Sequence, residues 1–136
     1  MAGVTAAVDF IAGLAPGTGT RREGLIAAND LIHDHELVLR RRIEAGLAGF
    51  DGRVSVHSRA AERTPTLLFT LPSRDAGEAS RYLAERGVLA PAGSFYAYEP
   101  FRALKLPVET GMRVGLAPCN DQNDVDRLLE GLADFF

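Results

Sequence analysis

The residue of this chain with the most chemical potential is Arg113, a cation in the middle of Gly111-Met112-Arg113-Val114-Gly115-Leu116. Met112, Val114 and Leu116 alternate with Arg113, Gly115 and Ala117, which predicts a short strand with one apolar face. Arg113 then stands on the other face among small neighbours. A guanidinium there presents a planar fork that can grip a carboxylate through two charge-assisted hydrogen bonds. The alternative is an edge-strand arginine paired with Asp121 or Glu109. A second cluster precedes it: Phe95, Tyr96, Tyr98 and Phe101 fall within seven positions, beside Gly93 and Ser94. Loops displayed by a sheet are where binding groups tend to sit, although such aromatics can also simply cover a sheet end. Lys105 is the only lysine among fifteen basic residues, and Cys119 is the only cysteine. Cys119 reads as a buried small hydrophobe.

The elements that must position these groups follow from periodicity and punctuation. After Arg113, Pro118 ends the ladder because it has no N–H to donate. Asn120 or Asp121 can cap a helix, with Asp124 in its first turn. That helix buries Val125, Leu128, Leu129, Leu132 and Phe135 or Phe136, spaced three and four apart. Upstream, Ser73 or Asp75 caps a helix burying Ala76, Ala79, Leu83 and Tyr82, ended by Gly87 at its C-terminus. Val88-Leu89-Ala90 reads as a brief strand after it, and Thr64–Leu71 as a stronger one before it. The apolar run of that stronger strand predicts burial on both faces. Strand, helix, strand over so short a span predicts a parallel pair with a crossover.

The first half is mostly helical. Val4, Ala7, Val8, Ile11 and Leu14 predict a helix over residues 3–14, ended by Pro16 and Gly17. The loop Ala15–Thr20 has no strand before it and too irregular a glycine pattern for phosphate binding, so it reads as a joint. Thr20 and Glu23 form a capping box that opens a long helix to about Gly49. Its apolar stripe is Leu25, Ala28, Ile32, Leu39, Ile43 and Leu47, broadened by Leu31 and Val38. His33 and His35 point in different directions on a helix and make no metal site. Arg40, Arg41 and Arg42 read as a solvated face. Asp51-Gly52 marks a turn, and Val54 and Val56 begin a short strand.

The expected fold is α/β in the α+β-like sense: a two-layer sandwich whose small mixed β-sheet is covered on one face by helices and preceded by a long helix. The chain of 136 residues is one domain by size, with a formal net charge of −3. That balance carries no basic excess for nucleic acid. A single cysteine allows no intrachain disulfide, which points to a cytoplasmic location. The opening Met1–Ala15 lacks a basic leader and is too short to span a bilayer, so no membrane association is expected.

Several segments together resemble one family. They are Gly87-Val88, the Gly93-Ser94-Phe95-Tyr96 loop, Phe101-Arg102-Ala103-Leu104, and Met112-Arg113-Val114-Gly115-Leu116 leading to Asn120 and then Asp124–Leu129. Thr20–Glu23 and Arg63-Thr64-Pro65-Thr66 fit the same pattern. Their order and spacing resemble the C-terminal part of class V aminotransferases, the fold-type-I pyridoxal-phosphate enzymes, and among them the cysteine-desulfurase-like proteins. The resemblance implies that residues 20–136 form the small domain and residues 1–19 a helix and joint leading from a missing large domain. It implies that Arg113 binds the α-carboxylate of an amino-acid substrate, that Ser94, Phe95 and Tyr96 belong to an active-site loop, and that the enzyme is a homodimer. Two departures stand out. The loop Ala92–Tyr96 lacks the nucleophilic cysteine of persulfide-forming members, so that chemistry is not expected. The lysine that would carry pyridoxal phosphate as a Schiff base has no match, Lys105 included, so no catalysis is expected from this chain alone. Transamination, β-elimination or desulfuration, and racemisation stay open. The contrasting expectation is a stand-alone, cofactor-free α/β binding module.

Overall fold

Residues Met1–Val38 and Leu39–Phe136 form two compact units in the computed structural model, which describes every residue except Met1, Thr18, Arg59 and Pro107. Thr18 belongs to the expected joint at 15–20, so that part of the joint lies outside the described residues.

The first unit contains α1 (Ala2–Gly13) and the opening of the long helix α2 (Arg21–Ala48). Its capping box forms as the sequence requires. Thr20 N donates to Glu23 Oε2 at 2.8 Å, and Glu23 N donates to Thr20 Oγ1 at 3.3 Å. These bonds satisfy backbone donors that the first helical turn leaves without partners. Arg21 adds an ion pair to Asp9 at 2.7 Å. Ala28 is buried, but Leu31 and Val38 are exposed and do not widen the apolar stripe. No residue of α1 is buried.

The second unit contains the end of α2 and then β1 (Ser55–Val56), β2 (Thr66–Thr70), α3 (Ala76–Ala84), β3 (Ala92–Gly93), α4 (Tyr98–Ala103), β4 (Gly111–Gly115) and α5 (Gln122–Phe135). The sheet runs β1-β2-β4-β3, and every pairing is antiparallel. The fold is therefore α+β, with a small sheet and helices. The expected mixed sheet with a parallel pair is corrected: β2 and β3 run the same way, but β4 lies between them and takes both sets of hydrogen bonds. The brief strand also starts later than Val88–Ala90. Val88 N and Gly87 N are already committed to the carbonyls of Leu83 and Ala84 at the end of α3, both at 3.0 Å. Gly87 makes this closure with φ +75°, a backbone conformation that other residues rarely adopt.

Register decides the faces. Phe69 pairs with Met112, and Leu67 with Val114, while Leu68 pairs with Arg113 and Thr66 with Gly115. Directly paired residues share a face. Leu67, Phe69, Met112 and Val114 therefore line the core, against Leu83 of α3, Val125, Leu128 and Leu132 of α5, and Leu39, Ile43 and Leu47 of α2. Burial of β2 on both faces holds only in part: Thr70 is buried, Leu68 is half-buried and Thr66 is exposed. Close approach also shapes the sheet. A Cβ on Gly111 would lie 2.9 Å from the carbonyl oxygen of Phe69, nearer than a side chain tolerates.

Among Arg40, Arg41 and Arg42 of α2, Arg40 is another correction. Arg40 is 7% exposed, donates to the Arg63 carbonyl at 2.9 Å and lies beside Glu44, which also pairs with Arg63. Arg42 holds Asp126 of α5 with two bonds of 2.8 and 2.9 Å. Arg41 and Arg42 keep the solvated role, Arg42 within an exposed ion pair, and Arg40 departs from it because the helix turns it towards a segment that sequence spacing does not reveal.

The strand-to-helix corner after β4 is built from polar side chains. Asp121 accepts from Asp124 N at 3.1 Å while Asp124 accepts from Asp121 N at 3.3 Å, closing a capping box. Asn120 ties the turn together, accepting from Ala117 N at 2.8 Å and donating to Asp124 at 3.0 Å. The Asn120 bond, then the Asp121 backbone N–H, hold the Asp124 carboxyl below the usual carboxylate range. A group whose folded pKa is depressed stabilises the fold at pH values above its unfolded pKa, and that contribution fades as pH falls towards the folded pKa. Asp124→Ala is expected to destabilise the fold at neutral pH, where the ionised carboxylate accepts from Asn120 and from the Asp121 backbone N–H. Its penalty should shrink in acid, once the wild-type Asp124 protonates and loses those bonds. Urea unfolding of both proteins at neutral and acid pH checks this; a penalty independent of pH would disprove the coupling.

Candidate functional site

Arg113 is the middle residue of β4 and projects on the face opposite the core, where the register sets it beside Leu68. Gly111 and Gly115, two residues away on either side, share that face: Gly111 is buried under Leu68 and Thr70, while Gly115 is exposed and leaves space on its side. Its backbone N–H donates to the Pro91 carbonyl at 3.0 Å, and Gly93 pairs with Gly111. These bonds fix where the chain leaves β3. The next residues close a tight turn, with Ala97 N donating to the Ser94 carbonyl at 2.8 Å. The two central residues are Phe95 and Tyr96, with φ of 52° and 60°. Two consecutive positive φ values mark a type I′ turn, a position that usually selects asparagine and glycine.

The turn delivers Phe95 to Arg113. The guanidinium carbon sits over the Phe95 ring, 4.2 Å from its centroid. Among the described residues, Arg113 makes no ion pair, so the expected alternative partners Asp121 and Glu109 do not engage it. Arg113 is exposed and Phe95 is half-buried. Tyr96, by contrast, is 99% exposed and is carried away from the arginine. Ser94 contributes its carbonyl to the turn. The remaining aromatics separate: Tyr98 is exposed on the first turn of α4, and Phe101 is buried. Of the four aromatics only Phe101 is buried.

Two other residues are placed differently from expectation. Cys119 is exposed, not buried. It occupies the outer corner of the turn closed by Asn120 N on the Ala117 carbonyl at 2.9 Å, so its side chain has no core to enter. Lys105 lies just past α4 and not within it, exposed and with φ 49°. A separate cleft of about 270 Å3, lined by Val88, Leu116, Asn120 and Arg127 among others, includes neither Arg113 nor Phe95. The contact that sequence reasoning missed is the one between Phe95 and Arg113. Its only local signal is a glycine two residues before the aromatic and two before the arginine.

The sequence matches the family described as Aminotransferase class-V over residues 26–128. The chain belongs to the class V aminotransferase family. No curated protein matches it closely enough to count as a relative. Solved structures do. A NifS-like protein from Rickettsia africae shares 16% identity over 84% of this chain, with a TM-score of 0.67. The cysteine desulfurase from Thermococcus onnurineus shares 18% over 88%, with 0.68. The cysteine desulfurase CsdA from Escherichia coli shares 24% over 87%, with 0.59. At these identities the likeness concerns the fold. This class V chain spans about a third of each of those proteins, 32%, 32% and 31%.

Class V enzymes use pyridoxal phosphate, and the residues described here do not fit as its holders. Holding the cofactor as a Schiff base takes a lysine in an enclosed pocket, whereas the one lysine of this chain is exposed on the segment after α4.

Proposed function

We propose that this chain is the small-domain portion of a cytoplasmic, pyridoxal-phosphate-dependent class V enzyme acting on an amino acid. Arg113 binds the substrate α-carboxylate, and the Ser94–Tyr96 turn borders that site. The cofactor and its lysine belong to a separate large domain, and the chain is inactive alone. The observation that carries this reading is an exposed arginine, seated on an aromatic ring, with no carboxylate partner among the described residues. A guanidinium held this way keeps its planar fork for a carboxylate supplied by a ligand. The test compares amino acids with their decarboxylated amines in the complete enzyme bearing Arg113→Ala. Loss confined to the amino acids supports the reading, and equal loss refutes it.

The partners in this reading are the large domain and a second copy of the enzyme. Support comes from α1, where Val4 and Phe10 are 69% and 70% exposed. Apolar side chains in such numbers on one short helix favour association. The isolated chain is expected to self-associate, with a light-scattering mass that rises with concentration. A constant monomer mass over a hundredfold concentration range, roughly the span over which patch-driven association shows, would count against these partners.

A further inference from the structure

We infer that Phe95 is a positioning residue for Arg113, setting how the guanidinium is presented to a carboxylate. This inference rests on the carboxylate reading above. Its physical basis is a turn that contradicts local preference. Positive φ is common for asparagine and glycine but costs bulky residues strain, and here two aromatics in succession adopt it at 52° and 60°. Such strain persists where surrounding structure over-determines it. Two antiparallel attachments do so here: Gly93 paired with Gly111, and Arg113 N bonded to the Pro91 carbonyl. The conformation places Phe95 against Arg113 and leaves Tyr96 in solvent. Without the ring, the long, exposed arginine side chain, with exposed Gly115 on one side of it, would sample many rotamers, each to be frozen on binding. With the ring 4.2 Å from the guanidinium carbon, cation–π attraction selects among those rotamers. It uses none of the N–H donors, which lie in the guanidinium's own plane.

Ring and turn can be separated experimentally. Phe95→Leu removes the ring, Phe95→Tyr keeps it, and the double change Phe95→Asn with Tyr96→Gly keeps the turn in its preferred residues while removing the ring. In the isolated chain, the Arg113 Nε–H proton resonance should show an upfield ring-current shift that disappears in Phe95→Leu and survives in Phe95→Tyr. In the complete enzyme, Phe95→Leu is expected to raise KM for the amino acid roughly three- to tenfold, with kcat little changed and amine analogues unaffected. Phe95→Tyr should restore KM. The Asn-Gly variant should melt at or above the wild-type temperature yet show the raised KM, because strain is relieved while positioning is lost. An Asn-Gly variant with wild-type KM overturns the inference, as does an Arg113 resonance indifferent to Phe95→Leu. If Arg113→Ala penalises acids and amines alike, the carboxylate reading fails on its own, and the resonance still decides whether the ring holds the arginine.

Discussion

Arg113→Ala is expected to lower kcat/KM for the amino-acid substrate of the complete enzyme about ten- to a hundredfold. A charge-assisted contact of this kind is worth ~1.5–3 kcal/mol, and its removal leaves the substrate carboxylate without a counter-charge. Arg113 is well placed for so local an effect. It is exposed, stands on the face away from the core and makes no ion pair among the described residues. Its removal opens no cavity, so the unfolding midpoint should move little. Arg113→Lys should recover only part of the loss, because an ammonium is a point charge without the fork and seats less well on Phe95. Amine analogues of the substrate have no carboxylate to hold and should react equally well in both proteins. If they lose as much as the amino acids do, Arg113 acts through the fold and the assignment is wrong.

Phe69→Ala is expected to be the most damaging single truncation, destabilising the second unit by about 3–5 kcal/mol. Phe69 is fully buried in β2 and pairs with Val56 on one side and Met112 on the other. It thus joins the two strands flanking β2 to the same apolar layer. A domain holds only about 5–15 kcal/mol in total, so this one change removes a large share of it. Leu68→Ala is the internal control. Leu68 is adjacent in sequence but lies on the Arg113 face, half-buried, and should cost about 1–2 kcal/mol. Urea unfolding reads both, as shifts of midpoint at constant slope. Equal penalties would mean that the register, and with it the outward direction of Arg113, is wrong.

What the sequence determined by itself was local. Thr20 with Glu23, Ser73 or Asp75, and Asn120 or Asp121 announce three helix starts, because a short polar side chain can satisfy the free N–H groups of a first turn; the structure decides for Asp75 and Asp121. Alternation through Met112, Val114 and Leu116 sets β4 and puts Arg113 on the other face, since successive strand residues point oppositely. Three- and four-residue spacing from Val125 to Phe135 sets the buried side of α5. The family, too, was legible, in the order and spacing of short segments that no single motif would have carried.

Tertiary structure decided everything that depends on which segment meets which. The insertion of β4 between β2 and β3 follows from long-range pairing, and no local periodicity encodes strand order. Arg40 looks like a surface charge until the Arg63 carbonyl arrives opposite it, and exposed Arg42 gains Asp126 as a partner only through the packing of α5. Cys119 looks like a small hydrophobe until the turn after β4 puts it on an outer corner. The site divides the same way. Arg113 stands out in the sequence as a lone cation among small residues. Its contact with Phe95 depends on a turn whose residues disfavour it, held by hydrogen bonds from a strand that follows later in the chain. Local preference there would place Asn-Gly, and only the pairing of β3 with β4 makes Phe-Tyr adopt the same path.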